Sequence, residues 1–272
     1  MKVLITGGLS GLGKAMALAY ASKASHICVI DRNDQDPDNV VQTLKDKGVE
    51  VVFQQCDVTD QQQIDALVDT ITEQWQRLDV LVNNAGVATV GLLEYEDLDQ
   101  WQWVMDINLL SVVRMTKSFR PLLKSTANSR IINVASQAGI TPAPMMGSYN
   151  ASKAAVVSFS ETMYLELWHD DIHVSVACPA FFKTNLDKSV RTNQQGAHAL
   201  VHKLLNRDNI SADQVANIII EQSHHNKFMI LTHKEGKTAW LLKRFMPYAR
   251  YLSMMKKKTH KISKARDASD TK

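Results

Sequence analysis

Tyr149 and Lys153 stand four residues apart in the run S-Q-A-G-I-T-P-A-P-M-M-G-S-Y-N-A-S-K, residues 136–153. The Ala- and Ser-rich stretch around them reads as helix, and one helical turn puts both side chains on one face. A phenol has a reference pKa of about 10 and is a poor acid or base at neutral pH. A lysine ammonium beside it favours the phenolate and lowers that value. The pair is therefore expected to give and take a proton near pH 7. Ser136 follows the run 130–134, which reads as a strand. Its hydroxyl then sits at a strand's carboxyl end, facing the helix. A Tyr/Lys pair alone is also common on a solvated helix face. Other elements must place something reactive beside it.

The chain opens with such an element. A strand at residues 2–6 runs into G-G-L-S-G-L-G, then an Ala-rich helix, then a second strand ending at Asp31. This is a βαβ unit of the length a dinucleotide fold uses. Gly7 and Gly8 allow the tight turn, and Gly11 and Gly13 let backbone and pyrophosphate approach at the positive helix N-terminus. Asp31 can bind a ribose 2′-hydroxyl and repel a 2′-phosphate, which favours NAD over NADP. Arg32 follows at once and keeps NADP(H) open as the alternative, because a basic side chain there can pair with a 2′-phosphate.

Further strands are expected at 50–55, 78–82, 130–134, 172–178 and 227–231, alternating with helices. Pro37 fits the first turn of a helix ending near Gly48. Thr59-Asp-Gln-Gln62 reads as a capping box. Long helices are expected at 98–123 and 148–168, and Ser211 should cap another. Asn108 falls inside the first long helix, where Asn is a mediocre helix former. The alternation implies an α/β fold, a doubly wound, mostly parallel, Rossmann-like sheet. Residues 1–233 read as one domain and 234–272 as a basic amphipathic extension.

Composition narrows the function classes. With 272 residues and 45% hydrophobic content, the chain can bury a sizeable core. Cys28, Cys56 and Cys178 lack metal or redox spacing, so no metal site is expected, and the thiols read as small buried residues of a reducing compartment. A cytoplasmic enzyme without a signal peptide or membrane span is the expectation. The net charge of +3 hides an asymmetry: residues 234–272 hold 12 Lys/Arg against 3 Asp/Glu, and residues 1–233 hold 19 against 25.

Taken jointly, the motifs resemble those of the short-chain dehydrogenases/reductases. Thr6 to Gly13 is similar to the family's T-G-x3-G-x-G loop, and Asn83-Asn-Ala-Gly86 to its N-N-A-G turn. Ser136, Tyr149 and Lys153 match its catalytic set, and Asn108 stands where its fourth catalytic residue lies. The resemblance covers roughly residues 2–231. It implies hydride transfer between a nicotinamide and an alcohol or carbonyl carbon. Tyr149 would move the hydroxyl proton, and Lys153 would lower its pKa and hold the nicotinamide ribose. Ser136 would bond the substrate oxygen, and Asn108 would hold a water linking Lys153 to solvent. Cofactor contacts would come from Gly7, Leu9, Ser10, Gly11, Leu12, Gly13, Asp31 and Arg32. Asp57 and Val58 would line the adenine pocket, with Asn84, Ala85 and Gly86 along the sheet edge. Pro179, Phe182 and Thr184 would lie at the nicotinamide end. The family's P-G turn is Pro179-Ala180 here, a small departure. A homo-oligomer, dimer or tetramer, is implied through the two long helices.

Gln137, Met145, Met146 and Phe181 flank these motifs as candidate substrate contacts. Most of them are apolar, which suggests a lipophilic alcohol, ketone or aldehyde. In the extension, Leu241, Phe245, Tyr248, Leu252 and Met255 fall at helical spacing, with a break expected at Pro247. The apolar part is expected to pack on the body or another subunit, and the tail from Lys256 onward to be disordered. Peripheral contact with an anionic membrane is the competing reading. No nucleic acid is expected. The alternative function is a catalytically silent NAD(P) sensor or scaffold, which loss of Tyr149 or Lys153 would have favoured.

Overall fold

The computed structural model describes residues 1–36, 39–182, 189–197 and 210–263. The strands are β1 (Lys2–Thr6), β2 (His26–Asp31), β3 (Glu50–Gln55), β4 (Val80–Asn83), β5 (Ala88–Thr89), β6 (Ser129–Val134), β7 (Ile172–Ala177), β8 (Val190–Arg191) and β9 (Met229–Ile230). Seven of them form one parallel sheet in the order β3-β2-β1-β4-β6-β7-β9. The short β5 and β8 pair with each other beside it, an addition the sequence did not announce. Strands β1, β2 and β4 are nearly continuous buried runs, as a sheet covered on both faces requires.

Helix α1 (Gly11–Tyr20) and the helix Ala212–His224 cover one face, packing Met16, Tyr20 and Ile219 against Val3, Ile5 and Val29. Helices α3 (Gln61–Trp75) and α5 (Ser111–Lys124) cover the other with Ile64, Leu67, Met115 and Phe119. Burying a side chain of this kind contributes about 1.5–3 kcal/mol. The chain runs from β1 outward to β3, then returns to β1's other side at β4. The strand order therefore reverses between β1 and β4, which opens a crevice at their carboxyl ends.

Several local expectations shift. The cap of α3 is Asp60, whose carboxylate accepts from the Gln62 and Gln63 N–H groups. Thr59 instead donates its N–H and hydroxyl to Asp57 Oδ1, so it is held one residue too early to cap. The long helix expected at 98–123 is α4 (Leu98–Met105) and α5 joined by a π turn, Asp106–Leu110. Ser211 forms the full capping box with Gln214. Helix α2 (Val40–Asp46) begins after the position expected of Pro37, which lies outside the described residues.

The C-terminal extension forms two helices, Lys234–Phe245 and Tyr248–Ser263, with the expected break at Met246 and Pro247. Lys256, Lys257 and Lys258 are helical, which corrects the expectation of disorder at that point. Leu252, Met254, Met255 and the three lysines are good helix formers, and no Gly or Pro interrupts them. Leu241, Leu242, Phe245, Tyr248 and Leu252 are exposed, so the packing expected against the body does not cover them. No described helix is long and apolar enough to cross a membrane.

Candidate active site

The carboxyl end of β1 leads into the glycine loop. Gly7 and Gly11 adopt positive φ, +62° and +52°. At Gly13 a Cβ would lie 2.1 Å from the Gly7 carbonyl oxygen, so only glycine lets α1 start this close to the turn. The loop is stitched to the N-N-A-G turn. The Asn84 and Ala85 N–H groups both donate to Thr6 Oγ1 at 2.9 Å, and Asn84 Nδ2 donates to the Thr6 and Gly7 carbonyls at 2.9 and 3.2 Å. Thr6 is therefore a scaffold residue of the site. Its place at the head of the glycine motif was legible, and its role was not.

A cavity of about 410 Å³ follows this edge. Gly7, Ser10, Gly11 and Leu12 line it, with Asp31, Arg32, Asp57 and Val58 toward one end. Asn84, Ala85 and Gly86 line it in the middle. Leu9 and Gly13 are buried behind the loop, and the Leu9 N–H donates to Asp31 Oδ2 at 3.4 Å. The Asp31 carboxylate thus braces the loop as well as facing the cavity. These residues fit a dinucleotide. Ser10 caps α1 in extended conformation without spending its hydroxyl on the helix's own N–H groups, and the first turn carries no acid. That leaves a helix N-terminus suited to a phosphate. Asp31 at the tip of β2 suits a ribose hydroxyl.

The other end of the cavity gathers Ser136, Tyr149, Lys153, Pro179, Phe181 and Phe182. Ser136 follows β6 and caps the short α6 (Gln137–Ile140), its Oγ accepting from the Ala138 N–H at 3.1 Å. Tyr149 and Lys153 project from the first turns of α7 (Gly147–Leu167), and both are buried. The Ser136 hydroxyl and the Tyr149 phenol border the same end of the cavity. Lys153 Nζ donates to the Val134 carbonyl at 3.0 Å, and lies 6.0 Å from the Tyr149 ring centre.

Burial raises the Tyr149 phenol above its ordinary value, against the lowering effect of the Ser136 hydroxyl. Burial also takes the Lys153 ammonium down to about 8. The lowering of Tyr149 by Lys153 expected from the sequence is thus corrected in the protein alone: desolvation penalises both charged forms.

Asn108 sits in the π turn, fully buried. Its Oδ1 accepts from the Val87 N–H at 2.8 Å, and its Nδ2 donates to the Val87 carbonyl and Ser152 Oγ, both at 3.0 Å. One Oδ1 lone pair remains. A Cβ at Gly86 would meet Asn108 Oδ1 at 3.2 Å and Lys153 Nζ at 3.3 Å, so all three border one point. A π turn is the kind of local irregularity that gathers at functional sites. It explains a mediocre helix former in mid-helix.

Two groups of expected substrate contacts sit elsewhere. Gln137 Nε2 donates to Thr141 Oγ1 at 2.6 Å and to the Gly236 carbonyl at 3.3 Å, which ties the catalytic loop to the C-terminal extension. Met145 and Met146 are buried behind Tyr149 with Ala88 and Val90. They support the phenol ring and are absent from the cavity lining. Phe181 does line it. Thr184 lies outside the described residues.

Two positioning features went unforeseen. The buried Glu96 accepts from the Ser148 N–H and Ser148 Oγ, both at 3.0 Å, and Ser148 Oγ bonds Thr89 Oγ1 at 2.6 Å. This network fixes the start of α7 one residue before Tyr149. At Gly139, a Cβ would lie 2.6 Å from the Lys153 carbonyl carbon and oxygen. Helix α6 therefore touches the α7 backbone at Lys153. Gly139→Ala is expected to cost about 1–3 kcal/mol by overpacking and to move Ser136 away from Tyr149. A lower melting temperature together with a fall in kcat checks it.

The family model for short chain dehydrogenase matches residues 1–195. The chain is 32% identical to a dehydrogenase/reductase of CLA biosynthesis from Lactiplantibacillus plantarum, over 86% of this chain and 88% of that one. It is 35% identical to a 3-oxoacyl-[acyl-carrier-protein] reductase from Synechocystis, over 69% of this chain and 76% of that one. A short-chain dehydrogenase/reductase from Burkholderia phymatum, solved with NAD, superposes with a TM-score of 0.83 at 31% identity, covering 89% of this chain and 92% of that one. The glycine loop braced by Thr6 and Asp31, and the Ser136, Tyr149 and Lys153 cluster at the same sheet edge, place this chain in the short-chain dehydrogenase/reductase family of oxidoreductases.

Proposed function

We propose that this oxidoreductase interconverts a lipophilic secondary alcohol and its ketone, with Tyr149 as the general acid and base. The observation that carries the reading is the gathering of Ser136, Tyr149 and Lys153 in the lining of one cavity whose other end bears the glycine loop. A nicotinamide cofactor held along this edge supplies the acceptor or donor of hydride. Every other requirement falls to side chains. Ser136 and Tyr149 border the same end of the cavity, an arrangement suited to gripping a substrate oxygen from two sides. Tyr149 gives its proton to a carbonyl oxygen in reduction and takes it from a hydroxyl in oxidation. Lys153 holds the ribose side of the site, and its ammonium favours the phenolate when it is charged. Asn108 orients the turn at Val87 and keeps one acceptor lone pair for a water.

The substrate class rests on the lining. Val87, Trp103, Ile107, Phe181 and Phe182 supply apolar surface around the reacting end. The 3-oxoacyl name of one relative describes a ketone on an apolar chain, the same pairing of features. Cofactor reduction on a panel of hydrophobic alcohols and ketones tests the reading. Turnover confined to small charged hydroxy acids would overturn it.

NAD(H) is the proposed cofactor, because the Asp31 carboxylate stands at the tip of β2 and borders the cavity. Arg32, which borders it too, is exposed. Fluorescence titration of the wild type is expected to show tighter binding of NADH than NADPH. Asp31→Ser removes the charge that repels a 2′-phosphate and leaves Arg32 in place. It is expected to shift the affinity ratio toward NADPH by about tenfold or more. A wild type that prefers NADPH would reverse the assignment.

A further inference from the structure

The two C-terminal helices, Lys234–Phe245 and Tyr248–Ser263, expose apolar side chains in a regular pattern. Phe245 is 77% exposed, Tyr248 61% and Leu252 43%, with Leu241 and Leu242 also open to solvent. Leu241 and Phe245 are one turn apart on the first helix, and Tyr248 and Leu252 one turn apart on the second. In each helix these pairs form one apolar stripe. A helix in water gains most of its stability by packing such a stripe on something. Between Tyr248 and His260, Tyr251 is the one side chain that is buried. Met254 and Met255 are half-buried, while Tyr248 and Leu252 stay open to solvent among the described residues.

Charge indicates what the partner is. Residues 234–260 carry eight lysines and arginines and a single acid, Glu235. The remainder of the chain up to residue 233 has more acids than bases. We propose that these two helices dock the protein on the surface of an anionic lipid bilayer. The exposed Leu, Phe and Tyr side chains enter the headgroup boundary, and the neighbouring lysines and arginines meet lipid phosphates. Pairing this face with the same face of a second copy would bring like-charged lysines and arginines together, because a two-fold contact repeats the patch. Attachment is to one leaflet, since neither helix is long and apolar enough to span. The platform is also bonded to the catalytic loop: Lys243 Nζ donates to the Ile140 carbonyl at 2.6 Å, and Gln137 reaches the Gly236 carbonyl. The docking is independent of the substrate proposed above.

The test uses the full-length protein with vesicles of phosphatidylcholine alone and of phosphatidylcholine mixed with phosphatidylglycerol. Co-flotation is expected with the mixed vesicles, at least about tenfold tighter than with the neutral ones. It should weaken as salt rises from about 0.1 to about 1 M, where the screening length falls from about 10 to about 3 Å. The double variant Phe245→Glu/Tyr248→Glu is expected to lose binding by about tenfold or more, with cofactor affinity and melting temperature unchanged. Arg250→Glu/Lys257→Glu keeps every apolar side chain and should weaken binding to the mixed vesicles in the same direction. A wild type that floats with neither vesicle overturns the proposal. So does a double variant that binds as tightly as the wild type. Conversion of a wild-type dimer to monomer by Phe245→Glu/Tyr248→Glu, without vesicle binding, assigns the face to a second copy and equally overturns it.

Discussion

Replacing Tyr149 by phenylalanine is expected to lower kcat by about 10²–10⁴-fold, the range that one positioned proton-transfer group contributes. The ring stays in place, because Met145, Met146 and Ala88 pack against it and do not touch the lost oxygen's chemistry. Cofactor affinity should change little, since the glycine loop and Asp31 lie at the other end of the cavity. Loss of turnover with retained NADH binding separates a chemical role from a folding defect. The pH dependence has a definite sign. Burial raises the Tyr149 phenol, so the group is protonated at neutral pH. It is then ready to donate to a carbonyl oxygen, and alcohol oxidation must wait for the phenolate. Initial rates of oxidation should therefore rise between about pH 7 and 10, and reduction should not. Undiminished turnover by Tyr149→Phe, or oxidation that is flat with pH, would count against Tyr149 as the proton carrier.

The parts of this architecture that could be read in advance share a physical cause. Strands β1, β2 and β4 are buried on both faces, so their sequences are near-continuous apolar runs. The glycines at 7, 11 and 13 answer local backbone demands that another residue meets poorly. Tyr149 and Lys153 are linked by helical geometry alone. The features that escaped depend on pairings distant in sequence. Glu96 reaches Ser148 across 52 residues, and nothing near either residue signals it. Gly139 is small because α7 passes over it, not because its own turn demands it. Met145 and Met146, expected as substrate contacts, are buried in the cluster that holds Tyr149 and are absent from the cavity lining. Which side of the ring they would take was decided by the packing of Ala88, Val90 and Val190. The capping residue of α3 moved from Thr59 to Asp60 because Asp57 competes for Thr59's hydrogen-bonding groups.

Lys153→Met is expected to abolish most activity and to change how stability depends on pH. Burial lowers Lys153 from 10.5 to about 8 in the folded protein. The folded state therefore binds that proton less tightly than the unfolded state does. The contribution is fully present above the unfolded value and is lost as pH falls through the folded one. Relative to Lys153→Met, wild-type stability should be flat below about pH 8 and rise by up to about 1.4 kcal/mol per pH unit toward about 10. Urea unfolding of both proteins at several pH values checks it. The thiol of Cys56, raised to about 11, weakens the fold at alkaline pH in both proteins and cancels in the difference, whereas Cys178, raised to about 12, feels the Lys153 charge and is best replaced by Ala in both proteins compared. A difference that stays constant across this range would mean that Lys153 is solvated and that its ammonium costs nothing. The opposite result carries a functional meaning. At neutral pH the buried ammonium is a standing cost of order 1 kcal/mol or more, relieved in part by its bond to the Val134 carbonyl. Methionine at 153 would remove that charge and leave the carbonyl unpaired. A lysine here weakens the fold in exchange for a positive charge one helical turn from the phenol, where it can stabilise the phenolate during oxidation.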